Sequence, residues 1–331
     1  MERFTEGQPH RKAKSIGVVI PVHNEESNLQ TLHQSLQTIL RRLVDHYLII
    51  FADDGSSDRT PELIESLRAK DPQVGTVRLS RNFGHQSALM AGLDRVDTEV
   101  VIAMDGDLQH PPELIPKLYD AWRKGSDVVL TRRLDDENVG LSKKMTSRLF
   151  YHLFQRLTNV QVEAGTADFF LIDHNVCVQL RECRESTRFH RGLLPWLGFD
   201  RHYIDYVPEI RQSGESKYTL KKMLTLAMDG ICGFSIVPLR ISGILGLISV
   251  LCALGYMAFA ITCRLIGVEM ESGWTSLVSI IVFLAGMQLT ILWVHGEYLA
   301  RVFLETRNRP PYVVRDEIIP SPIAVREPKG M

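Results

Sequence analysis

The chain has 331 residues, 45% hydrophobic and 23% charged, enough for one large core or two smaller units. A formal net charge of -1 lacks the basic surplus of a nucleic-acid-binding protein, so no nucleic-acid partner is expected. Five cysteines (Cys177, Cys183, Cys232, Cys252 and Cys263) show no CxxC spacing and read as reduced, structural thiols.

Met1 to Lys14 is polar and basic without an apolar stretch, so no signal peptide is expected and the N-terminal part should stay in the cytoplasm. Ile16 to Val22 reads as a buried strand running into Pro-Val-His-Asn-Glu. Leu29, Leu32, Leu36, Ile39, Leu40 and Leu43 then recur at helical spacing. Tyr47 to Ala52 is a second strand, and Thr60-Pro61-Glu62 opens a helix with a capping residue and a first-turn proline. Val74 to Leu79 is a third strand, Ser87 to Leu93 a helix and Val100 to Met104 a fourth strand. This alternation predicts a parallel sheet with helices on both faces, a nucleotide-binding α/β layer.

Two of these strands run into acidic clusters, Asp53-Asp54-Gly55-Ser56-Ser57-Asp58 and Asp105-Gly106-Asp107. Carboxylates two residues apart on extended backbone share a face and can reach one ligand together. At the carboxyl edge of an α/β sheet they suit Mg2+ or Mn2+, ions that bridge protein to phosphate oxygens. The pair of clusters predicts a bipartite nucleotide-diphosphate site.

Leu141, Met145, Leu149, Leu153 and Leu157 repeat every four residues with Lys143, Lys144, Arg148 and Arg156 on other faces. Such a basic amphipathic helix, about 141–158, is expected at a membrane interface. The Ser213-Gly214-Glu215-Ser216-Lys217-Tyr218 loop, with Arg211 before it, offers donors for a diphosphate. Ile241 to Cys263 and Trp274 to Val294 carry no charge, and each is long enough to cross a bilayer core. Lys217, Lys221, Lys222 and Arg240 precede these spans and Arg301, Arg307 and Arg309 follow them, while the basic residue between them is Arg264. The charge bias puts both flanks inside. Small residues in the first span (Ser242, Gly243, Gly246, Ser249 and Ala253) allow helix packing within or between chains, so a homo-oligomer is open.

Taken in order, Val19-Ile20-Pro21-Val22-His23-Asn24-Glu25, "DDGSSD", "LSRNFGHQSALMAGLD", "DGDLQHPPELI", "TRR", "GTADFFLID", "SGESKY", two spans and "GEYLARVFLETRNRPPY" resemble the polyprenol-phosphate glycosyltransferases of glycosyltransferase family 2. The resemblance runs from about Ser15 to Tyr312. It implies a GT-A fold and inverting transfer from a nucleotide sugar to a polyprenyl phosphate. By position, Pro21, Asn24, Glu25, Asp53 and Asp54 would hold base and ribose, Asp105 the ribose or sugar, and Asp107 the metal, with Gln109 beside them. Arg211, Ser216 and Lys217 match the loop over the diphosphate, and Asp168 falls at the acidic position near the acceptor. His23 stands where the family usually has Tyr, and Gly106 where Ala is frequent.

A phosphomonoester with a second pKa near 6 is largely ionised at neutral pH, so Asp168 is expected to orient the acceptor more than to deprotonate it. Arg132, Arg133, Lys143 and Ser147, at the start of the interfacial helix, are expected to meet the acceptor phosphate. The expected organisation is a tail (1–14), a GT-A domain (15–218), a juxtamembrane segment (219–240), two spans within 241–297 and a cytoplasmic tail (298–331). A UDP-sugar donor and undecaprenyl phosphate are the favoured substrates. A processive polysaccharide synthase is the enzyme alternative, although Arg188-Phe189-His190-Arg191-Gly192-Leu193-Leu194-Pro195-Trp196 does not match that group's Gln-x-x-Arg-Trp element. A silent membrane scaffold is the non-enzyme alternative.

Overall fold

The computed structural model describes residues 11–134, 163, 165–183, 190–207, 235–266, 273–307 and 309–320. The chain divides into a sheet unit (Met1–Gln155, Val160–Thr219 and Pro310–Met331) and a helical unit (Arg156–Asn159 and Leu220–Arg309).

The sheet unit opens with β1 (Ser15–Val22), α1 (Leu29–Leu43), β2 (His46–Asp53), α2 (Thr60–Lys70), β3 (Val74–Leu79), α3 (His85–Leu93) and β4 (Val100–Ala103). A 3-10 turn at Pro112–Leu114 leads into α4 (Ile115–Arg123). Then come β5 (Val128–Arg133), β6 (Thr166–Asp173), α5 (His174–Glu182), α6 (His190–Trp196) and β7 (Arg201–Tyr206). In the helical unit lie α7 (Val237–Ile266) and α8 (Trp274–Thr306), and β8 (Val314–Ile318) returns to the sheet.

The spatial order is β7-β5-β6-β4-β1-β2-β3-β8. β1 pairs in parallel with β2 and β4, and β2 with β3. Strands covered on both faces must be apolar throughout, and Val18, Val19, Ile20, Ile49, Ile50 and Phe51 are all 0% exposed. Alternate residues face opposite sides: Val18 and Ile20 join the cluster with Leu29, Leu32, Leu36 and Leu40 of α1, while Val19 lies against α3. There Gly92 is required, because a Cβ would stand 2.3 Å from Val19 Cγ1.

The first four strands and three helices match the sequence-based reading, but the sheet is mixed. β6 lies antiparallel to both β4 and β5, and β8 antiparallel to β3. The residues expected to form a tail therefore continue α8 to Thr306 and then supply an edge strand. Arg95 pairs with Glu317 and donates to Tyr312 Oη, which donates to Asp94. Arg132 and Arg133, expected to open the interfacial helix, are instead the last residues of β5. Thr60 does not cap α2 with its side chain; its Oγ1 accepts from Glu25 N, and Asp58 Oδ1 accepts from Thr60 N. The interfacial helix (about 141–158) lies outside the described residues.

In the helical unit, Val237–Phe259 and Leu277–Thr306 are long and apolar enough to cross a membrane. Only 6% and 0% of their apolar windows is buried, unlike the core helix of a soluble domain. The two helices touch, with Ser249 Oγ 2.8 Å from Met287 Sδ and Tyr298 Oη donating to Ser235 O at 2.6 Å.

Candidate active site

The carboxyl ends of β1, β2 and β4 lie side by side because these strands are parallel neighbours. At β1, Asn24 takes a left-handed φ of 57°, tolerable for asparagine, and its Oδ1 accepts from Ser57 N at 2.9 Å. Asn24 N in turn donates to Ser56 Oγ at 3.0 Å. Glu25 accepts from Asn28 Nδ2 at 2.6 Å; burial raises its pKa, with Asp107 and Asp58 adding to the rise.

At β2, Asp53 Oδ1 accepts from Ser56 N at 2.9 Å, and Oδ2 faces Arg78 Nε at 3.4 Å. Asp54 accepts from Phe83 N at 2.7 Å and Gly84 N at 2.9 Å, fastening the β3–α3 loop. Gly55, at φ 67°, lets that loop approach: a Cβ would stand 2.6 Å from the Arg81 carbonyl carbon. His23 bridges the same loops, Nδ1 lying 3.1 Å from Asp54 O and Nε2 3.2 Å from Asn82 Nδ2. The tautomer with its proton on Nδ1 satisfies both contacts.

The β4 end is different. Asp107 accepts from Gln109 N at 3.1 Å and Gln109 Nε2 at 2.7 Å, across a turn where Leu108 has φ 61°. Asp105 N donates to His110 Nδ1 at 3.0 Å, whereas Asp105 Oδ1 is buried and makes no hydrogen bond, with His85 Nε2 3.3 Å away. Burial, followed by the charges of Asp168 and Asp107, pushes the Asp105 pKa up to about 8. Burial lowers that of His110 to about 4 and depresses that of His85, so both imidazoles are neutral near pH 7. His110 stacks on Phe169 at 5.2 Å between ring centroids, which fixes the turn against β6.

β6 brings Asp168 to the same place. Its carboxylate forms a fork with Arg191 of α6, Oδ1 to Nε and Oδ2 to the terminal nitrogen, both at 2.9 Å. Gln86 Nε2 donates to Oδ2 at 3.2 Å, and Gln86 Oε1 is held by His190 Nδ1. His85 Nε2 lies 3.9 Å from Asp168, so one imidazole stands between Asp105 and Asp168. Burial raises the Asp168 pKa, but the charge and hydrogen bonds of Arg191, then His85 and His190, outweigh it and the net shift is downward.

Pro21, Asn24, Glu25, Asp53 and Asp54 thus converge at β1 and β2, and Asp105, Asp107, Gln109 and Asp168 at β4 and β6. Arg132 stands opposite Asp205 in the ladder and pairs with it at 2.6 Å and with Glu163 at 2.6 Å; Arg133 is exposed. Lys143, Ser147, Arg211, Ser216 and Lys217 lie outside the described residues. Sequence reasoning gave no role to His85, Gln86, His110, His190 or Arg191. No local signal marks them, because their roles follow from packing around the buried Asp168 and the buried Oδ1 of Asp105.

Among the described residues no three His, Cys, Asp or Glu side chains converge on one point, so no all-protein metal cage exists. An ion held by one or two carboxylates, with phosphate and water completing its shell, needs none. The unbonded, buried Asp105 Oδ1 beside Asp107 fits such an ion.

The model of the Glycosyl transferase family 2 family matches residues 17–180, from β1 into α5. An uncharacterized glycosyltransferase of Bacillus subtilis is 37% identical over 298 residues, 90% of this chain and 92% of that protein. The prophage bactoprenol glucosyl transferase homolog of Escherichia coli is 35% identical over 300 residues (91% and 98%). The bactoprenol glucosyl transferase of Shigella phage SfV is 35% identical over 302 residues (91% and 98%). Among solved structures, glucosyl-3-phosphoglycerate synthase from Mycobacterium tuberculosis matches 66% of this chain and 78% of its own at 20% identity and a TM-score of 0.44. With its carboxylates gathered at the ends of β4 and β6 and these relatives matched over nine-tenths of its length, the chain belongs to glycosyl transferase family 2 and is a glycosyltransferase.

Proposed function

We propose that the protein transfers a sugar from a nucleotide-diphosphate sugar, a UDP-sugar, to a polyprenyl phosphate, undecaprenyl phosphate, with inversion at the anomeric carbon. The observation that carries this reading is the 302-residue match to a bactoprenol glucosyl transferase, too long to omit either the carboxylate site or the apolar helices. The two helices anchor the enzyme in the membrane. β8 follows α8 and rejoins the sheet that precedes α7, which supports an even number of crossings with both flanks on one side. Arg240 before the spans and Arg301, Arg307 and Arg309 after them make that side cytoplasmic.

In this reading Pro21, Asn24, Glu25, Asp53 and Asp54 form the base and ribose end of the site, Asp54 by shaping its loops. Asp105 meets the ribose or sugar, and Asp107 would hold Mg2+ or Mn2+, with Gln109 beside it on the nucleotide sugar. When bound, that ion supplies positive charge against the departing diphosphate. Arg211, Ser216 and Lys217 cover the diphosphate and stabilise the same charge. Arg133, Lys143 and Ser147 attract the lipid phosphate, while Arg132 must first leave two carboxylates. Asp168 orients the acceptor, because its pair with Arg191 keeps it from acting as a base at rest.

The test uses membranes containing the protein, Mg2+, radiolabelled nucleotide sugars and undecaprenyl phosphate, followed by lipid extraction. Label in the lipid phase, dependent on both substrates, is expected. Label in an unextractable polymer would indicate a processive synthase. Label in neither, with any donor, would indicate a scaffold.

A further inference from the structure

We propose that Arg191 is the receptor for the acceptor's phosphate, and that it takes up this role by exchanging the Asp168 carboxylate for phosphate oxygens. The proposal rests on the reading of the acceptor as a phosphorylated lipid and adds the residue that recognises it.

The site has a charge problem. Among the described residues, the carboxylates Asp107, Asp168 and Glu25 gather around the protonated Asp105, where donor and acceptor must meet. A doubly charged phosphate would be repelled there unless a cation received it. His85 and His110 do not serve: His85 is lodged between Asp105 and Asp168, and His110 accepts from Asp105 N and stacks on Phe169. Arg191 does: it is forked on Asp168 at 2.9 Å, and His85, 3.9 Å from Asp168 and 3.3 Å from Asp105, links that fork to the β4 end.

The geometry permits the exchange. A guanidinium fork binds carboxylate and phosphate through the same two parallel hydrogen bonds, so either anion can occupy it. Within the pair, the Arg191 side chain is 37% exposed and that of Asp168 only 8%, so the incoming anion reaches the cation first. Asp168 has a second anchor that does not depend on Arg191. Gln86 holds its Oδ2 and is itself held by His190, so the carboxylate stays in place when the guanidinium turns.

The exchange also changes what Asp168 can do. Released from Arg191, it becomes a buried anion facing Gln86 and the neutral His85, and its affinity for a proton rises. A singly protonated acceptor then passes its proton to Asp168 as the phosphate oxygen bonds to the anomeric carbon. The nucleoside diphosphate leaves with the electron pair of the broken bond. A fully ionised acceptor reacts with no proton to transfer. Acceptor binding and base release are thus one event.

The test uses the full-length enzyme in detergent or nanodiscs, with initial rates measured against both substrates and calorimetric binding of farnesyl phosphate and farnesol. Arg191→Gln is expected to raise KM for undecaprenyl phosphate at least about tenfold, as for loss of a charged hydrogen bond, and to weaken farnesyl phosphate similarly. KM for the nucleotide sugar and binding of farnesol should stay within about twofold. Arg191→Lys should recover part of the loss. Because Arg191→Gln strands a buried carboxylate, Asp168→Asn/Arg191→Gln serves as a second probe. Its acceptor KM should exceed that of Asp168→Asn alone. Equal acceptor KM in those two proteins, or a matching rise in donor KM in Arg191→Gln, would overturn the proposal. A wild-type enzyme that transfers to no polyprenyl phosphate would instead sink the acceptor reading itself, and this proposal with it.

Discussion

Two aspartate-rich strand ends stand next to each other in this protein and differ in how complete they are. At β2 Asp54 takes the backbone N–H groups of Phe83 and Gly84 and Asp53 Oδ1 accepts from Ser56 N, while the buried Asp53 Oδ2 makes no hydrogen bond but has the Arg78 guanidinium 3.4 Å away. At β4 the orphan oxygen, Asp105 Oδ1, is also buried without a hydrogen bond, but a neutral imidazole, His85, stands beside it instead of a guanidinium, and the carboxyl holds a proton up to about pH 8. Buried polar groups without partners are costly, so an orphan of this kind marks a place made for a ligand. The β2 orphan is compensated by the adjacent Arg78 and the β4 orphan has no guanidinium beside it, so the β4 end is the less compensated of the two.

The largest expected effect tests the β4 end directly. Asp107→Asn should cut transfer by at least about 10³-fold at saturating Mg2+, because a hard ion loses its anionic ligand and the leaving diphosphate its counter-charge. Near wild-type turnover in a steady-state assay would remove Asp107 from the metal site. Asp168→Asn comes next, with a loss of about 10²-fold and a residual rate that climbs as pH passes the acceptor's second pKa near 6. A pH-rate profile flat at background, in a variant that still binds donor, would make Asp168 an obligatory base.

The β2 end should fail through stability instead. An asparagine at position 54 accepts one backbone N–H where the aspartate accepts two, so Asp54→Asn should cost about 2 kcal/mol. That corresponds to a Tm lower by roughly 4–8 °C. An unchanged Tm with a large loss of nucleotide affinity would erase the contrast between the two strand ends.

The smallest effect is a matter of sign. The folded protein keeps the Asp105 proton to about pH 8, while the unfolded chain releases it near 3.8. Between those values the folded state binds more protons, so ligand-free stability falls as pH rises through the window. Asp105→Asn should flatten that slope and be more stable than wild type near pH 9. Matching Tm profiles of the two proteins from about pH 6 to about pH 9 would show that Asp105 is not strained.

The first half of the sheet, the two apolar helices and the acidic clusters at the ends of β2 and β4 are legible in the sequence, because these are local signals. Continuous apolar runs specify buried strands, uncharged stretches specify helices fit for a bilayer, and Asp-Gly-Asp after a strand puts two carboxylates on one edge. Tertiary structure decided what local signals do not encode. β6 lies antiparallel to β4, which is why Asp168 reaches Asp105 from a strand more than sixty positions away. β8 pairs with β3 because that edge needs partners for its backbone, and nothing in Val314–Ile318 alone says so. The pairing of Asp168 with Arg191, and of Arg132 with Asp205, follows from which strands and helices become neighbours. Charge partnership is a property of space, and so the state of each carboxylate emerged only when the chain was folded.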